Sequence, residues 1–310
     1  MKHNIKITAI LLAMFIITQL IGLYVVGFYS PIKIVKSDEG IITPMNVSSP
    51  ELPYGMQTPE FQKEKDFYDI FPSIIFAFII AICLMFILIN FKAEFILRFW
   101  FFSVVAIALG ITINTFFPQF KYVTLVVLLI SIPLAFIKIY KPNFYVHNLT
   151  ELLIYPGIAS VFVPILNIWT IIVLLILISV YDMWAVWHSG VMQKMAKYQI
   201  DKLKIFSGFF VPYMSKKVKM QMMKMKNSGK KRKIKVNVAI LGGGDVVFPI
   251  IASGVMLKTL GLMSALYVVI GATIGLALLF FFAEKKKFYP AMPFITAGIL
   301  LGIGLGYLLM

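Results

Sequence analysis

The sequence contains few charged residues for its length. Only 14% of the 310 residues are Asp, Glu, Lys or Arg, and 60% are hydrophobic, whereas about a quarter of the residues of a soluble protein are charged. A soluble fold of this size could not hide so many apolar side chains, because its surface must be largely polar. Together with a mean hydropathy of +0.92, this excludes a water-soluble globular domain and indicates a protein that folds in lipid.

Cysteine and histidine are also scarce. The single cysteine, Cys83, excludes an intramolecular disulfide. The three histidines, His3, His147 and His188, are too scattered to form HExxH or a comparable metal-binding motif. A zinc protease is therefore not expected, and neither a metal ion nor another cofactor is predicted.

The sequence contains many long apolar runs. Nine of them approach the roughly 20 residues that a helix needs to cross a hydrocarbon core, at about 7–29, 71–91, 95–117, 121–140, 149–166, 167–190, 237–260, 262–283 and 289–309. The first is too long for the core of a signal peptide, so we expect a retained anchor. Pro164 and Asn167 mark the expected reversal between the fifth and sixth runs. The sequence predicts an all-α multi-pass membrane protein with nine transmembrane helices.

The runs divide the chain into three segments. Residues 1–190 hold the first six spans and a polar loop at about 30–70, which is predicted to be external. Residues 191–236 form a loop with fourteen Lys or Arg and one acidic residue. Within this basic loop, 205–214 is apolar but too short to span, so we expect it at the interface or packed on the bundle. Residues 237–310 hold spans seven to nine.

The positions of the cations predict the orientation. Because Lys and Arg collect in cytoplasmic loops, the basic loop places the N-terminus in the cytoplasm and the C-terminus outside, with 23 basic residues inside and six outside. Topology and contact with membrane lipid then account for the formal net charge of +16. No nucleic-acid partner is expected, and the predicted location is the cell membrane.

Two acidic residues fall well inside the predicted spans: Asp182 in the sixth and Asp245 in the seventh. An ionisable group there costs at least about 2.5 kcal/mol, which makes each a candidate functional residue. Each lies eight residues from the cytoplasmic end of its span, or about 12 Å along a helix, so the two carboxyls are expected to face one another. Close carboxyls share a proton, which leaves one as a base for water and the other as an acid. This is the chemistry of aspartic proteases.

The residues around Asp245 favour a close approach of the backbone. Gly242, Gly243 and Gly244 each weaken a helix by about 1 kcal/mol, and Pro249 kinks the same span one turn later. This cost makes sense if the backbone must come close to a catalytic pair or a substrate.

Three short motifs stand in order on these spans: Tyr181-Asp182, Gly242-Gly243-Gly244-Asp245 and Pro290-Ala291-Met292. They resemble the Tyr-Asp, Gly-x-Gly-Asp and Pro-Ala-Leu signatures of the presenilin and signal peptide peptidase family, with Met in place of the last Leu. The nine-span layout and the two long loops also resemble this family, and the compact length is most like its archaeal members. The N-in orientation resembles presenilin.

The resemblance implies an intramembrane aspartyl endopeptidase, a hydrolase that cuts the transmembrane helices of other membrane proteins without a cofactor. It assigns catalysis to Asp182 and Asp245 and active-site support to the other motif residues, Tyr181, Gly242, Gly243, Gly244, Pro290, Ala291 and Met292. The Tyr181 phenol is expected to donate to Asp182 or to gate the site. Because a bilayer helix hides its carbonyls, the substrate must unwind, and strand pairing would hold its freed backbone.

Other interpretations of the same residues remain open. The aspartates could form an ion or proton relay in a transporter or channel. Prepilin peptidases also use a Gly-x-Gly-Asp aspartate, usually with Lys two residues later, but Val247 stands there in this chain. The spacings Gly271-x-x-x-Gly275 and Gly298-x-x-x-Gly302 predict close helix packing, or else a contact between identical chains. No obligatory partner subunit is predicted.

Overall fold

The computed structural model describes ten stretches of the chain, namely residues 5–30, 32–36, 42–46, 50–57, 64–91, 93–141, 143–189, 205–213, 237–283 and 289–309. Most of the basic loop, 191–204 and 214–236, lies outside these described residues. The side chains of residues 32–36 and 42–46 are likewise not described.

The described residues form nine α-helices: α1 (Ile5–Tyr29), α2 (Glu64–Asn90), α3 (Glu94–Asn114), α4 (Val123–Tyr140), α5 (Phe144–Phe162), α6 (Ile168–Trp184), α7 (Gly243–Leu260), α8 (Leu262–Phe282) and α9 (Met292–Leu308). The first eight are long and apolar enough to cross a membrane, and α9 is a slightly shorter apolar helix of 17 residues. The predicted helical, multi-pass architecture is therefore confirmed. A short π-helical segment, Ala185–Ser189, continues α6.

In the described parts of the chain, two small antiparallel sheets accompany the helices. In the predicted external loop, β1 (Ile32–Lys36) pairs with β2 (Ile42–Asn46). The second sheet joins β3 (Gly208–Tyr213) to β4 (Asn237–Gly242), with Gly208 opposite Gly242 and Tyr213 opposite Asn237. Residues 205–213 of the predicted apolar segment pack on the bundle, one of the two expected placements, since Phe209 is fully buried in the main core. Its strand conformation was not predicted.

The predicted starts of the second, fifth and seventh spans are wrong, and α5 begins at Phe144 rather than at 149. The seventh helix begins at Gly243 rather than at 237, because residues 237–242 are extended and pair with β3. The second helix begins at Glu64 rather than at 71, so the polar loop is shorter than predicted. Ile70 and Phe71 pack against the main core at the start of α2, which gives this otherwise polar helical turn an apolar face.

The reversal between the fifth and sixth spans lies where Pro164 and Asn167 predict it. A 3₁₀ turn, Val163–Ile165, ends the fifth span, and the Asn167 side chain caps α6 by accepting from the amide of Thr170 at 2.8 Å. From α7, the Lys258 ammonium donates to the carbonyl oxygen of Leu166 at 3.2 Å. This bond ties the C-terminal end of α7 to the turn.

Helix α7 occupies the centre of the bundle, where it contacts α1, α5, α6, α8 and α9. The two GxxxG motifs face each other between α8 and α9. A Cβ atom on Gly271 would collide with the carbonyl oxygen of Gly298, and one on Gly298 would collide with that of Gly271. Their spacing thus serves close helix packing within the chain.

Candidate active site

Asp182 lies in the last turn of α6 and contacts the first turn of α9. Its Oδ2 accepts a hydrogen bond from the backbone amide of Met292 at 3.1 Å, and the amide of Ala291 also interacts with this carboxylate. The first amides of a helix have no partner within the helix, and α9 has no side-chain cap of its own. Asp182 therefore supplies, from another helix, a hydrogen-bond acceptor for the N-terminus of α9.

A second hydrogen bond joins the same two helices one turn away. The Ser179 hydroxyl donates to the Thr296 hydroxyl at 2.8 Å, and both side chains are buried. Ser179 precedes Asp182 by three residues and Thr296 follows Met292 by four, so the two contacts form successive rungs between α6 and α9. These rungs fix the position of Asp182 relative to the Pro290-Ala291-Met292 segment.

Asp245 lies in the first turn of α7, directly after the β4 strand. Gly242 is still extended, with φ −64° and ψ 148°, and the helix starts at the next residue. The Asp245 carboxylate lies over Gly242, whose amide interacts with it, and a Cβ atom at Gly242 would stand 3.1 Å from Oδ2. The predicted depth of eight helical residues is therefore wrong: Asp245 is the third residue of its helix.

The structure brings the two aspartates together. Helix α6, which carries Asp182, packs against α7, which carries Asp245, although the two aspartates are 63 positions apart in the sequence. The two carboxyls lie close enough to influence each other electrostatically. Each carboxyl also meets the backbone amides at a helix N-terminus, Asp182 at α9 and Asp245 at α7. Such positions favour the ionised form of a carboxyl, while their proximity to each other opposes double ionisation.

The three glycines before Asp245 have different surroundings. Gly243 is buried, and a Cβ atom there would stand 2.7 Å from the Tyr155 hydroxyl oxygen and 2.8 Å from that of Ser207. Gly244 is exposed, and its nearest neighbour would be Phe248 at 3.8 Å. The expected close backbone approach is thus found at Gly243 and not at Gly244.

Tyr181 does not show the predicted hydrogen bond to Asp182. Its side chain is 45% exposed, and its ring lies 6.3 Å from that of Trp184. In the part of the chain that the structure describes, no hydrogen bond joins its hydroxyl to Asp182. Of the two roles expected for this phenol, only that of a gate remains as a prediction.

Gln19 is a residue near the site that the sequence analysis missed. Its side-chain amide, fully buried in α1, donates to the carbonyl oxygen of Val246 at 3.0 Å. The bond ties α1 to the first turn of α7, next to Asp245. The available signal was a polar amide within an apolar span, but the sequence analysis singled out only ionisable residues.

Glu151 is a third carboxylate inside the bundle, contrary to the prediction of two. The fifth helix begins at Phe144, after an Asn143 cap, rather than at 149, so Glu151 lies two turns within it. It forms a buried ion pair with Lys138 of α4, whose Nζ is 2.5 Å from Oε1. The predicted fifth span begins at 149, which puts Glu151 near the end of that span rather than well inside it.

The described residues contain no group of three or more His, Cys, Asp or Glu side chains arranged to hold a metal ion. The polar atoms at the site are instead the two carboxyls and the backbone amides around them.

A family model for signal-peptide peptidase and presenilin aspartyl protease matches residues 40–310. The chain belongs to this family. It is thus an intramembrane aspartyl protease, a hydrolase of the membrane, and the transporter interpretation is not favoured. No curated protein sequence matches the chain.

Solved structures of this family have the same fold. A presenilin family intramembrane aspartate protease in a C222 crystal is 18% identical, with a TM-score of 0.60 over 98% of this chain and 99% of that one. A structure of a presenilin family protease in space group P2 is 19% identical, with a TM-score of 0.57 over 97% of both chains. At these identities the likeness concerns the fold alone.

Proposed function

We propose that Asp182 and Asp245 are the catalytic pair of this protease and that they hydrolyse a peptide bond within a membrane-embedded substrate. One carboxylate takes a proton from water, whose oxygen attacks the scissile carbonyl carbon, while the protonated partner donates to the carbonyl oxygen. The resulting gem-diol collapses with proton transfer to the leaving nitrogen, and no covalent enzyme intermediate forms. The observation that carries this proposal is the placement of the two carboxyls on helices that pack together: Asp182, at the end of α6, accepts from the amide of Met292 at the start of α9, and Asp245 lies in the first turn of α7.

The substrate is a transmembrane helix that unwinds near the site. Strand β4 ends three residues before Asp245, and the side chains of Val238 and Ile240 on it are 43% and 45% exposed. Among the described strands, β4 pairs only with β3, so its other edge offers backbone groups to an extended segment. Pairing there would satisfy the polar groups that the substrate helix loses on unwinding.

The orientation follows from the cations. We place the N-terminus in the cytoplasm and the C-terminus outside, which puts the end of α6 and the start of α7 at the cytoplasmic side. The protein needs no obligatory partner subunit and no metal or other cofactor in this proposal. The GxxxG motifs already pack against each other within the chain. Identical chains can therefore associate without using them.

Cleavage of a model transmembrane substrate tests the catalytic assignment. Purified wild-type protein in liposomes is expected to release two fragments, and Asp245→Asn none, because an amide cannot serve as the base or the acid. Mass spectrometry of the fragments measures this. Activity of Asp245→Asn would contradict the assignment, and aspartate-dependent ion flux without cleavage would support a transporter.

Inhibitors provide an independent test of the mechanism. Peptide mimics with a hydroxyl at the scissile position resemble the gem-diol, and transition-state analogues bind about 10² to 10⁸-fold more tightly than substrates. We expect such compounds to block cleavage and to compete with a probe that labels the wild-type site. Cleavage that is indifferent to them but sensitive to chelators would argue for metal chemistry instead.

A further inference from the structure

One face of α5 carries a row of polar side chains inside the bundle. His147, Asn148, Glu151 and Tyr155 are 6%, 8%, 1% and 2% exposed, respectively. Their spacing places them along one side of the helix. Buried polar groups in a membrane protein are costly unless they are paired. His147 and Asn148 have partners on β3, and Glu151 pairs with Lys138 of α4.

Asn148 binds the β3 backbone as a neighbouring strand would. Its Nδ2 donates to the carbonyl oxygen of Phe210 at 3.1 Å, and the amide of Phe210 donates to its Oδ1 at 3.2 Å. One side chain thus satisfies both backbone groups of a strand residue. This pair of hydrogen bonds selects a single position of β3. If the strand shifted by one residue, the amide and carbonyl of the neighbouring residue would point to the opposite edge of the strand.

His147 fixes a second point on the same strand. Its Nε2 lies 2.8 Å from the carbonyl oxygen of Gly208, which can only accept, so Nε2 carries the proton. Nδ1 is then an acceptor for the Lys138 ammonium at 3.4 Å. Glu151 balances the charge of Lys138. The buried ion pair therefore holds His147 in the tautomer that binds β3.

The contacts continue from β3 to the catalytic residue. Phe210 stands opposite Ile240, and Gly208 opposite Gly242, in the β3–β4 sheet. At Gly208 the backbone has φ 136°, and a Cβ atom would collide with the carbonyl oxygen of Leu241, so the two strands meet closely at this end. Gly242 is three residues from Asp245. A fixed β3 thus fixes β4 relative to the catalytic carboxyl.

We propose that Asn148 and His147 are specificity-determining positioning residues, which set the register of the β3–β4 sheet and thereby the peptide bond that is cut. The proposal rests on the function proposed above, in which the substrate pairs with β4. A substrate strand that keeps its pairing while the sheet shifts along α5 presents a different carbonyl to Asp182 and Asp245.

The test compares Asn148→Leu with Thr150→Val on a model transmembrane substrate in liposomes. Leucine is similar in size to asparagine but lacks both hydrogen-bonding groups. Thr150 is fully buried on the same helix, but among the described residues its hydroxyl donates only to the carbonyl oxygens of Val146 and His147, within α5 itself. Mass spectrometry of the products reports the cut position separately from the amount of cleavage.

We expect Asn148→Leu to lower the ratio of the main product to products cut at neighbouring bonds by about tenfold, the effect of losing roughly one net hydrogen bond. Thr150→Val should leave the ratio unchanged. Should Asn148→Leu fail to fold, Asn148→Gln serves instead, because it keeps both groups but displaces them by one methylene. Unchanged cut positions in the folded variants, with only the yield reduced, would overturn the inference. Wild-type cleavage that is absent in Asp245→Asn would still uphold the proposed function.

Discussion

Replacing Asp182 with alanine is expected to abolish cleavage and to destabilise the protein, whereas asparagine should abolish cleavage alone. General acid–base catalysis contributes about 10² to 10⁴-fold, and neither replacement can exchange the proton. Asparagine, however, keeps an oxygen that can accept from the amide of Met292, which Asp182 does at 3.1 Å. Alanine leaves the first amides of α9 unpaired, at a cost of about 0.5–2 kcal/mol for a lost helix cap.

Two measurements on the wild type, Asp182→Ala and Asp182→Asn separate the effect on cleavage from the effect on stability. Cleavage of the model substrate is compared at equal concentrations of inserted protein, and thermal unfolding in detergent is followed by circular dichroism. Equal stability of Asp182→Ala and Asp182→Asn would show that the bond to Met292 does not support α9. Persisting cleavage in either variant would remove Asp182 from the catalytic pair.

The sequence was informative about the site because membrane insertion makes ionisable residues expensive. Asp182 and Asp245 stood out against apolar spans, and the short motifs beside them indicated the family. The same argument did not reach Gln19, since an uncharged amide carries a smaller penalty. Nor did it single out Ser179 and Thr296, because hydroxyl groups are common inside spans, where they bond to neighbouring helices or to their own backbone. Their pairing depends on how α6 and α9 pack.

The helices were easier to predict than the strands. Apolar runs of about 20 residues must become helices in lipid, and eight such helices and a shorter ninth are found. Residues 237–242, Asn-Val-Ala-Ile-Leu-Gly, are as apolar as the helix that follows, so hydropathy extended the span to include them. Their conformation is decided by pairing with β3, about 30 residues earlier in the sequence. Hydropathy contains no information about such a partner.

This strand changes the meaning of the glycines before Asp245. In a continuous helix, each of the three glycines would lower helix stability by the same amount, and nothing would distinguish their roles. In the structure, Gly242 ends the strand and Gly243 begins the helix, so the chain changes from extended to helical within the motif. Asp245 is thereby held at a helix N-terminus rather than in mid-helix. The motif does not predict this position when it is interpreted as part of one long span.

Gly243→Ala is expected to reduce cleavage by about 10²-fold, while Gly244→Ala should have little effect. At Gly243 the new methyl group would stand 2.7 Å from the Tyr155 hydroxyl oxygen and 2.8 Å from that of Ser207. Tyr155 is 2% exposed and packs edge-on against Phe209, so the first turn of α7 must move instead. A displacement of about 1 Å at a catalytic group costs roughly 10²-fold in rate.

Gly244→Ala is the matched control, because it adds the same methyl group to the neighbouring residue, where the nearest atom would be Phe248 at 3.8 Å. Alanine in place of glycine also favours the helix by about 1 kcal/mol at either site, so helix propensity cannot explain a difference between the two. The initial rate of substrate cleavage, normalised to folded protein, is the measurement. Equal rates for the two variants would show that the close contact of Gly243 with Tyr155 does not position Asp245, whereas a selective loss in Gly243→Ala would establish that the strand-to-helix junction sets the geometry of the catalytic pair.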